Sequence, residues 1–382
     1  MIATPAIVSA ACACLGLLQA LAGWLAVRRF AAAPAPLPAP QPPVTILKPL
    51  HGAEPLLEQA LESVCTQRYP SYQVVFGVQH PADPALAVAR RLRARYPGND
   101  IAIVVDATAH GKNRKVGNLI NMLTAARHEV LVIADSDVAC APDFLEHVTA
   151  TLQTPGTGLV TTLYAARAAT RTLAGRLGAS WITHSFLPGA LLARWLGRQD
   201  SLGATMTLRR DTLAAIGGLA ALADHLADDH RLGVLVRQRG LAVRLAQTVP
   251  VTTVPETMVA ALFRHELRWA RTIRTLVPGQ FTLSALQYPL FWAALALVLW
   301  PAPRTLALFA AAWAIRAAAA VGIDRALRLT ALATPAPIWL LPLRDLMSMV
   351  VLLASYASDR VEWRGQVLRA RAPRGAKGMA SP

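Results

Sequence analysis

Acidic residues are scarce in this chain, 22 Asp and Glu against 38 Lys and Arg, and a few stand where chemistry is done. Val130–Asp137 reads VLVIADSD, an apolar run that ends in two carboxylates flanking a serine. Asp135 and Asp137, at alternate positions, can share one hard cation through oxygen and leave room for a phosphate-bearing ligand. A strand ending in a solvated turn accounts for the same three residues, since Asp and Ser suit turns. Asp83, in HPADPAL, and Asp228-Asp229, in LADDHRLGVLVRQRG, are the other acidic sites. Turn formation before Pro84 and helix capping are their ordinary explanations.

The basic counterpart is Phe263–Arg274, FRHELRWARTIR. Arg264, Arg268 and Arg271 fall at i, i+4 and i+7, so they share one helical face. Such a face clamps a diphosphate, for which guanidinium geometry is suited, or lies on an anionic membrane surface. The two readings are compatible.

These residues need a scaffold, and an open α/β sheet is the one that places charge at strand ends. From Val44 the pattern alternates: VTILKPL as a strand, Pro55–Cys65 as a helix, YQVVFGVQ as a strand, and Pro84–Tyr96 as a basic helix. IAIVVD, a helix over Lys115–Ala126, VLVIADSD and Gly158–Tyr164 continue it, which predicts βαβ units and a parallel sheet.

Around this core the composition is that of a membrane protein. Of the 382 residues 54% are hydrophobic, with a mean hydropathy of +0.39. Pro5–Val27 carries no charge and is long enough to span a bilayer. Arg28-Arg29 follow it and orient the next domain to the cytoplasm. Phe281–Trp300, Thr305–Ile323 and Ala336–Tyr356 are each about one span long. Arg316 and the neighbours Arg344-Asp345 lie inside them, costly unless they face protein or water. Three crossings would leave the tail (Arg360, Arg364, Arg369, Arg371, Arg374, Lys377) outside, against the charge rule, unless one segment is re-entrant. The expected organisation is an anchor over 1–29, an Ala/Pro-rich linker over 30–43, a cytoplasmic catalytic domain over 44–279, membrane segments over 280–358 and a basic tail over 359–382. A net charge of +16 suits a membrane or a nucleotide diphosphate. No zinc spacing or basic helix with interleaved aromatics supports nucleic acid. Four dispersed cysteines form neither a disulfide framework nor a metal cluster.

The order KPLHG, an Asp after the second strand, NRKVGNL, DSD, GATMTLRR, DDHRLG and an RW helix resembles the ceramide glucosyltransferase family over Val44–Gly279. The resemblance implies an α/β, Rossmann-like GT-A fold, with one N-terminal transmembrane helix and a C-terminal group of membrane helices. It also implies a UDP-sugar donor, a lipid acceptor and a divalent metal, Mg²⁺ or Mn²⁺. Carried over position by position, Asp83 contacts the nucleotide, Asp135 and Asp137 hold nucleotide and metal, and Asp229 is the catalytic base beside Asp228. Lys48, Asn113, Lys115 and Asn118 match segments near the donor, as does His184 in ITHSF, for which a core histidine is the competing reading. Arg268 and Trp269 match the RW of the (Q/R)xxRW motif. The first position of that motif is His265 here. A histidine still donates a hydrogen bond, but its charge varies with pH, so donor affinity is expected to rise as pH falls. Arg264 or Arg271 are candidates for the missing fixed charge.

These roles imply one in-line displacement and inversion at the anomeric carbon. Alanine and arginine richness points to a GC-rich bacterial genome and so to the bacterial inner membrane. KPLHGAEP, DATAHGKNRKVGNLINM and DSDV look most like the hopanoid biosynthesis-associated glycosyltransferases. That likeness implies transfer of N-acetylglucosamine from UDP-GlcNAc to bacteriohopanetetrol, a hopanoid polyol, with ceramide as the alternative acceptor. A processive polysaccharide synthase shares DxD and the RW helix, but normally keeps the Gln and has more spans. A non-enzymatic membrane-binding protein would not explain the ordered acidic sites.

Overall fold

The structure is a computed structural model and describes residues 3–34, 40–328, 333–358, 360–363 and 366–369. Arg364, Arg371, Arg374 and Lys377 of the basic tail lie outside the described residues. The chain opens with α1 (Ala3–Ala32). It then alternates through β1 (Val44–Pro49), α2 (Leu57–Cys65), β2 (Tyr72–Val78), α3 (Pro84–Arg95), β3 (Asp100–Val105), α4 (Arg114–Met122), β4 (Val130–Ala134), α5 (Phe144–Leu152) and β5 (Thr157–Thr161). An excursion follows through β6 (Ala165–Ala168), α6 (Leu173–Trp181), a π-helical turn over Ile182–Phe186 and α7 (Leu187–Trp195). The chain returns in β7 (Thr205–Arg209), α8 (Arg210–Ala215), α9 (Asp228–Gln238), β8 (Ala242–Leu245) and β9 (Val251–Val254). Last come α10 (Val259–Leu276), α11 (Pro278–Leu283), α12 (Pro289–Leu299), α13 (Pro303–Leu327), α14 (Leu341–Ser355), β10 (Arg360–Trp363) and β11 (Gln366–Arg369).

The main sheet runs β3-β2-β1-β4-β7-β5-β8, and β6-β9 form a small second sheet. The first four strands are parallel, as their sequence predicts. Their residues alternate between two cores. Val44, Ile46, Phe76 and Val132 pack under α2, α3 and α5, while Leu47, Val75 and Leu131 pack under α4, α8 and α9. Burial on both faces explains the continuous apolar runs, each large side chain contributing ~1.5–3 kcal/mol.

The sheet is mixed rather than wholly parallel: β7 runs antiparallel to both β4 and β5. The chain has by then left the sheet through α6 and α7, which pack on membrane elements, and it re-enters at the carboxyl end of β4. Ala134 therefore pairs with Thr205, and the Asp135 amide donates to the Ala204 carbonyl at 3.1 Å. GATM is brought beside DSD by this reversal.

Among the described residues three helices are long and apolar enough to cross a membrane: Thr4–Ala32, Pro303–Leu327 and Ile338–Ser355. The expected span at Phe281–Trp300 is instead a pair of helical pieces, Pro278–Gln287 and Pro289–Leu299, bent by 64°. Both follow a proline, which starts a helix well and cannot continue one. α1, α12 and α13 pack together, with Gly16 of α1 against the Leu286 carbonyl and Pro289, where a side chain would collide. The segment containing α14 is tied to the sheet side at both ends. Thr334 bonds the β6 backbone twice, at 3.0 and 2.8 Å, and the Ser358 carbonyl accepts from Arg274 of α10 at 3.4 Å.

Arg344 and Asp345 do not pair with each other. Arg344, fully buried, meets both oxygens of Glu266 at 2.7 Å and also bonds Ser348 and the Leu177 carbonyl. Asp345 accepts from the Leu290 amide at the start of α12, at 3.0 Å. The two neighbours thus bind α14 to α6, α10 and α12.

Candidate active site

The carboxyl ends of β1 and β4 open into a cleft of about 400 Å³. Its walls come from the loop after β1 (His51, Glu54), the start of α4 (Arg114, Lys115, Asn118), the turn after β4 (Asp135, Asp137), the start of α9 (Asp228, Asp229) and α10 (His265, Arg268, Trp269). Residues 51 to 269 in sequence meet within one cavity because the sheet aligns their elements, in the position where open α/β sheets bind ligands.

The floor is electrostatically unfinished. Lys115 Nζ lies 2.6 Å from Asp135 Oδ1 and 3.6 Å from Asp228 Oδ2. Burial alone would lower its pKa, but the charges of Asp135 and Asp228 outweigh it and raise it, so the ammonium stays charged. Burial, together with the charge of Asp135, pushes the Asp137 carboxyl above the usual range. Thr252 Oγ1 donates to Asp137 Oδ2, which opposes that shift in part. Asp229 is pushed up to about 7, first by burial and then by Asp228, against the His230 amide and Lys115. A buried carboxyl near neutrality is what proton transfer at physiological pH requires.

Asp135 and Asp137 suit a hard divalent cation. Each keeps one oxygen outside the contacts just described, and the raised Asp137 carboxyl marks negative charge that lacks compensation. Among the described residues no group of three or more His, Cys, Asp or Glu side chains is placed to hold a metal. The remaining positions around a cation therefore fall to substrate oxygens or water.

Several residues act from beneath. Lys48 is fully buried and does not line the cleft; its Nζ donates to the Asp135 and Val138 carbonyls at 2.7 and 2.6 Å and pins the DSD turn. Asn113 caps α4 by accepting from the Val116 amide, and its Nδ2 donates to Asp228 Oδ1 at 3.3 Å. Asn118 lines the cleft while its Nδ2 donates to the Gly77 carbonyl at 2.8 Å. Asp83 also stays out of the cleft. It caps α3 through the Ala85 amide at 2.9 Å and accepts from the Gly52 amide, which fixes the loop presenting His51.

His184 departs furthest from the expectation of a histidine beside the donor. Its side chain is buried in the π-helical turn, and Nε2 meets Asp324 of α13 at 2.8 Å. It lines a small cavity against α1 instead of the cleft. The competing reading as a core histidine matches this position. Arg264 and Arg271 likewise do not line the cleft, which leaves Arg268 as the α10 arginine at its wall.

Sequence reasoning missed four contributors. Glu256, in the turn before α10, meets His265 Nδ1 at 2.5 Å, and the pull of His265 outweighs burial to hold its carboxyl below the usual range. Tyr164 lines the cleft and packs on Phe186 at 5.1 Å. Gly203 sits where a Cβ would lie 2.9 Å from Asp229 Oδ2. The legible signal for that one was the glycine of GATM. Trp181 packs against Trp269 with ring centroids 5.4 Å apart and the planes tilted by 34°.

The cleft continues toward the membrane elements. Tyr164, Asp229, Arg268 and Trp269 also line a second cavity of about 310 Å³. That cavity shares Trp181, Phe186, Ile273 and Val277 with a third, of about 490 Å³, whose walls are mostly apolar. A route thus leads from Asp229 to the surface formed by α11, the turn after it and α14.

Known proteins place the chain. It is 24% identical over 253 residues to ceramide glucosyltransferase 1 of Caenorhabditis elegans, covering 64% of this chain and 53% of that protein. It is 34% identical over 108 residues to the ceramide glucosyltransferase of Komagataella phaffii, covering 27% of this chain and 21% of that protein. The chain spans about half the length, or less, of these curated relatives. A mannosyltransferase from Pyrobaculum calidifontis, solved with GDP-Man and Mn²⁺, superposes with a TM-score of 0.54 at 22% identity, over 92% of this chain and 99% of that one. This likeness establishes the GT-A fold. The pattern of glycosyl transferase family 21 matches residues 5–376, nearly the whole sequence, and the chain belongs to that family.

Proposed function

We propose that the protein is a membrane-bound inverting glycosyltransferase that moves a sugar from a UDP-sugar to a lipid hydroxyl. The observation that carries this reading is the continuity of the cleft: Asp229 stands at the junction of a charged cavity and one that turns apolar toward the membrane helices. A charged nucleotide enters from one side and a lipid hydroxyl from the other.

Asp229 takes the proton of the acceptor hydroxyl as its oxygen attacks the anomeric carbon, and the bond from that carbon to the β-phosphate oxygen breaks. Arg268 and Lys115 offset charge on the departing UDP. Asp135 and Asp137 would hold a divalent cation, Mg²⁺ or Mn²⁺, which supplies further positive charge to that leaving group when bound. A single base gives one displacement, hence inversion of an α-linked donor to a β-glycoside.

Within this class we assign UDP-GlcNAc as donor and bacteriohopanetetrol as acceptor, on the motif likeness alone. UDP-glucose and ceramide form the second reading, favoured by the named relatives. This orientation is supported by the arginines after the first span and by Thr334 and Ser358, which flank α14 and bond the sheet side. With the bent pair Pro278–Gln287 and Pro289–Leu299 as the outward arm, α13 as the returning one and the segment containing α14 re-entrant, Ser358 stays on the side of the catalytic domain, the cytoplasmic face of a bacterial inner membrane, as the charge rule asks.

The test is a matrix of UDP-GlcNAc or UDP-glucose against bacteriohopanetetrol or ceramide, with Mn²⁺ or Mg²⁺ and detergent-solubilised protein, read by mass spectrometry. An N-acetylhexosamine on bacteriohopanetetrol, absent with Asp229→Asn, is the expected outcome. A hexose on ceramide would replace the substrates and keep the mechanism. No transfer to either lipid would overturn the reading.

A further inference from the structure

Outside the acidic cleft, an open groove of about 840 Å³ runs between the end of α5, the end of α7 and β8. Arg194, Arg198 and Arg244 line it, and no acidic side chain does. The nearby carboxylate, Asp200, is spent on Arg198, meeting its Nε at 2.6 Å and Nη2 at 3.0 Å. Arg194 is the least satisfied of the three. Its Nη1 donates to the Arg198 carbonyl at 3.3 Å, while Nη2 is buried without a partner. Burial holds its pKa below the usual value, more than Asp200 restores it. A guanidinium kept from water with donors unused is costly unless an anion completes it.

The surroundings say where the anion comes from. Arg194 ends α7, which packs on the anchor helix at Gly23, a close approach to Pro188. The Arg29 guanidinium lies 5.4 Å from the Trp195 ring centroid, and Leu196 is 86% exposed. Exposed Trp and Leu beside arginines at the end of an apolar helix mark the level of lipid headgroups. Arg198 also lines the apolar cavity that faces the membrane helices.

We propose that this groove binds the phosphate of an anionic phospholipid headgroup, with Arg194 as its central ligand and Arg244 at its rim. The proposal rests on the reading of α1 as a membrane anchor and is independent of the sugar and acceptor assigned above. Planar guanidinium groups bind phosphate oxygens in pairs, and Arg194 makes that contact once its side chain turns the unpartnered Nη2 out into the groove.

The experiment uses the full chain in neutral detergent, titrated with phosphatidylglycerol or phosphatidylcholine and followed by native mass spectrometry. The expected result is at least ~10-fold tighter binding of phosphatidylglycerol. Arg194→Met should bring this down to the phosphatidylcholine level, with an unchanged or higher melting temperature, because it removes a buried uncompensated charge. Arg244→Gln should weaken it independently. A preference that survives both substitutions overturns the site. Inorganic phosphate that stabilises the wild type but not Arg194→Met, without any lipid preference, overturns the lipid and assigns a soluble phosphate. Failure of the protein to associate with neutral or anionic vesicles would overturn the anchor and the proposal with it.

Discussion

Helix α10 has a cluster of charge at each of two faces, half-buried toward the sheet and buried toward α14, and the two are finished differently. Toward the sheet, Asp135, Asp137, Asp228 and Asp229 surround Lys115, with Arg268 at the wall, and one carboxyl is driven to about 7. Toward α14, Glu266 and Arg344 close on each other through two bonds of 2.7 Å, and Ser348 and a backbone carbonyl take further guanidinium donors. Both use the same chemical groups. The second is a completed clamp, whereas the first holds excess negative charge in reserve for a cationic or polyanion-plus-metal ligand. Strain left unpaired marks the functional cluster, and full pairing marks the structural one.

The largest effect separates the clusters by function. Asp229→Asn is expected to lower transfer by about 10³-fold, within the range for a lost general base, while wild-type activity rises with pH through about 7. The same substitution should stabilise the protein. In the folded state this carboxyl binds its proton up to about 7, whereas the unfolded chain releases it near 3.8. The folded state thus holds more protons in between, and stability falls as pH rises through that window. Removing the group should therefore raise stability more at pH 8 than at pH 5 in metal-free protein. Melting curves at the two pH values check the sign. A destabilised Asp229→Asn protein would move this aspartate into the class of Glu266.

The clamp should behave in the opposite way. Glu266→Gln or Arg344→Met alone leaves a buried charge unpaired and is expected to cost ~3–5 kcal/mol, seen as a lowered melting temperature. The double change Glu266→Met/Arg344→Met should recover most of it, since two apolar groups need no partner. Equal losses in the double and single variants would mean that the pair orients α10 in a way that packing cannot replace.

The two clusters also differ in how far the sequence announces them. The cleft was legible from VLVIADSD, NRKVGNL and DDHRLG, because charge at the ends of apolar runs can only be tolerated at the edge of a core. Arg344 and Asp345 were visible as a costly pair, but their partners were not: Glu266 and the Leu290 amide lie 78 and 55 positions away. Long-range pairing leaves no spacing to read. The reversal of β7 was hidden for a related reason, as the direction of a strand depends on where the preceding excursion ends. His184 misled because a motif match records a residue type, while its ring faces Asp324 across 140 positions. Lys48 and Asp83 were expected near the donor, and both brace loops that present other residues to the cleft.

The smallest expected effect tests how finely the open cluster is set. Gly203 stands after the excursion and before β7, where a Cβ would sit 2.9 Å from Asp229 Oδ2 and 3.3 Å from its carboxyl carbon. The first is closer than real Cβ contacts come, and the second is tight. In Gly203→Ala the carboxylate has to turn aside, and a base displaced by a fraction of an ångström loses alignment with the acceptor proton. A fall of about 10-fold in kcat is expected, with the donor KM unchanged because the proposed nucleotide contacts come from the start of α4, the turn after β4 and α10. Stability should change little, since Asp229 sits at the helix start with room on the cleft side. A rise in donor KM instead would mean that Gly203 spaces the DSD turn through Ala204 and β4, and that the base tolerates the displacement.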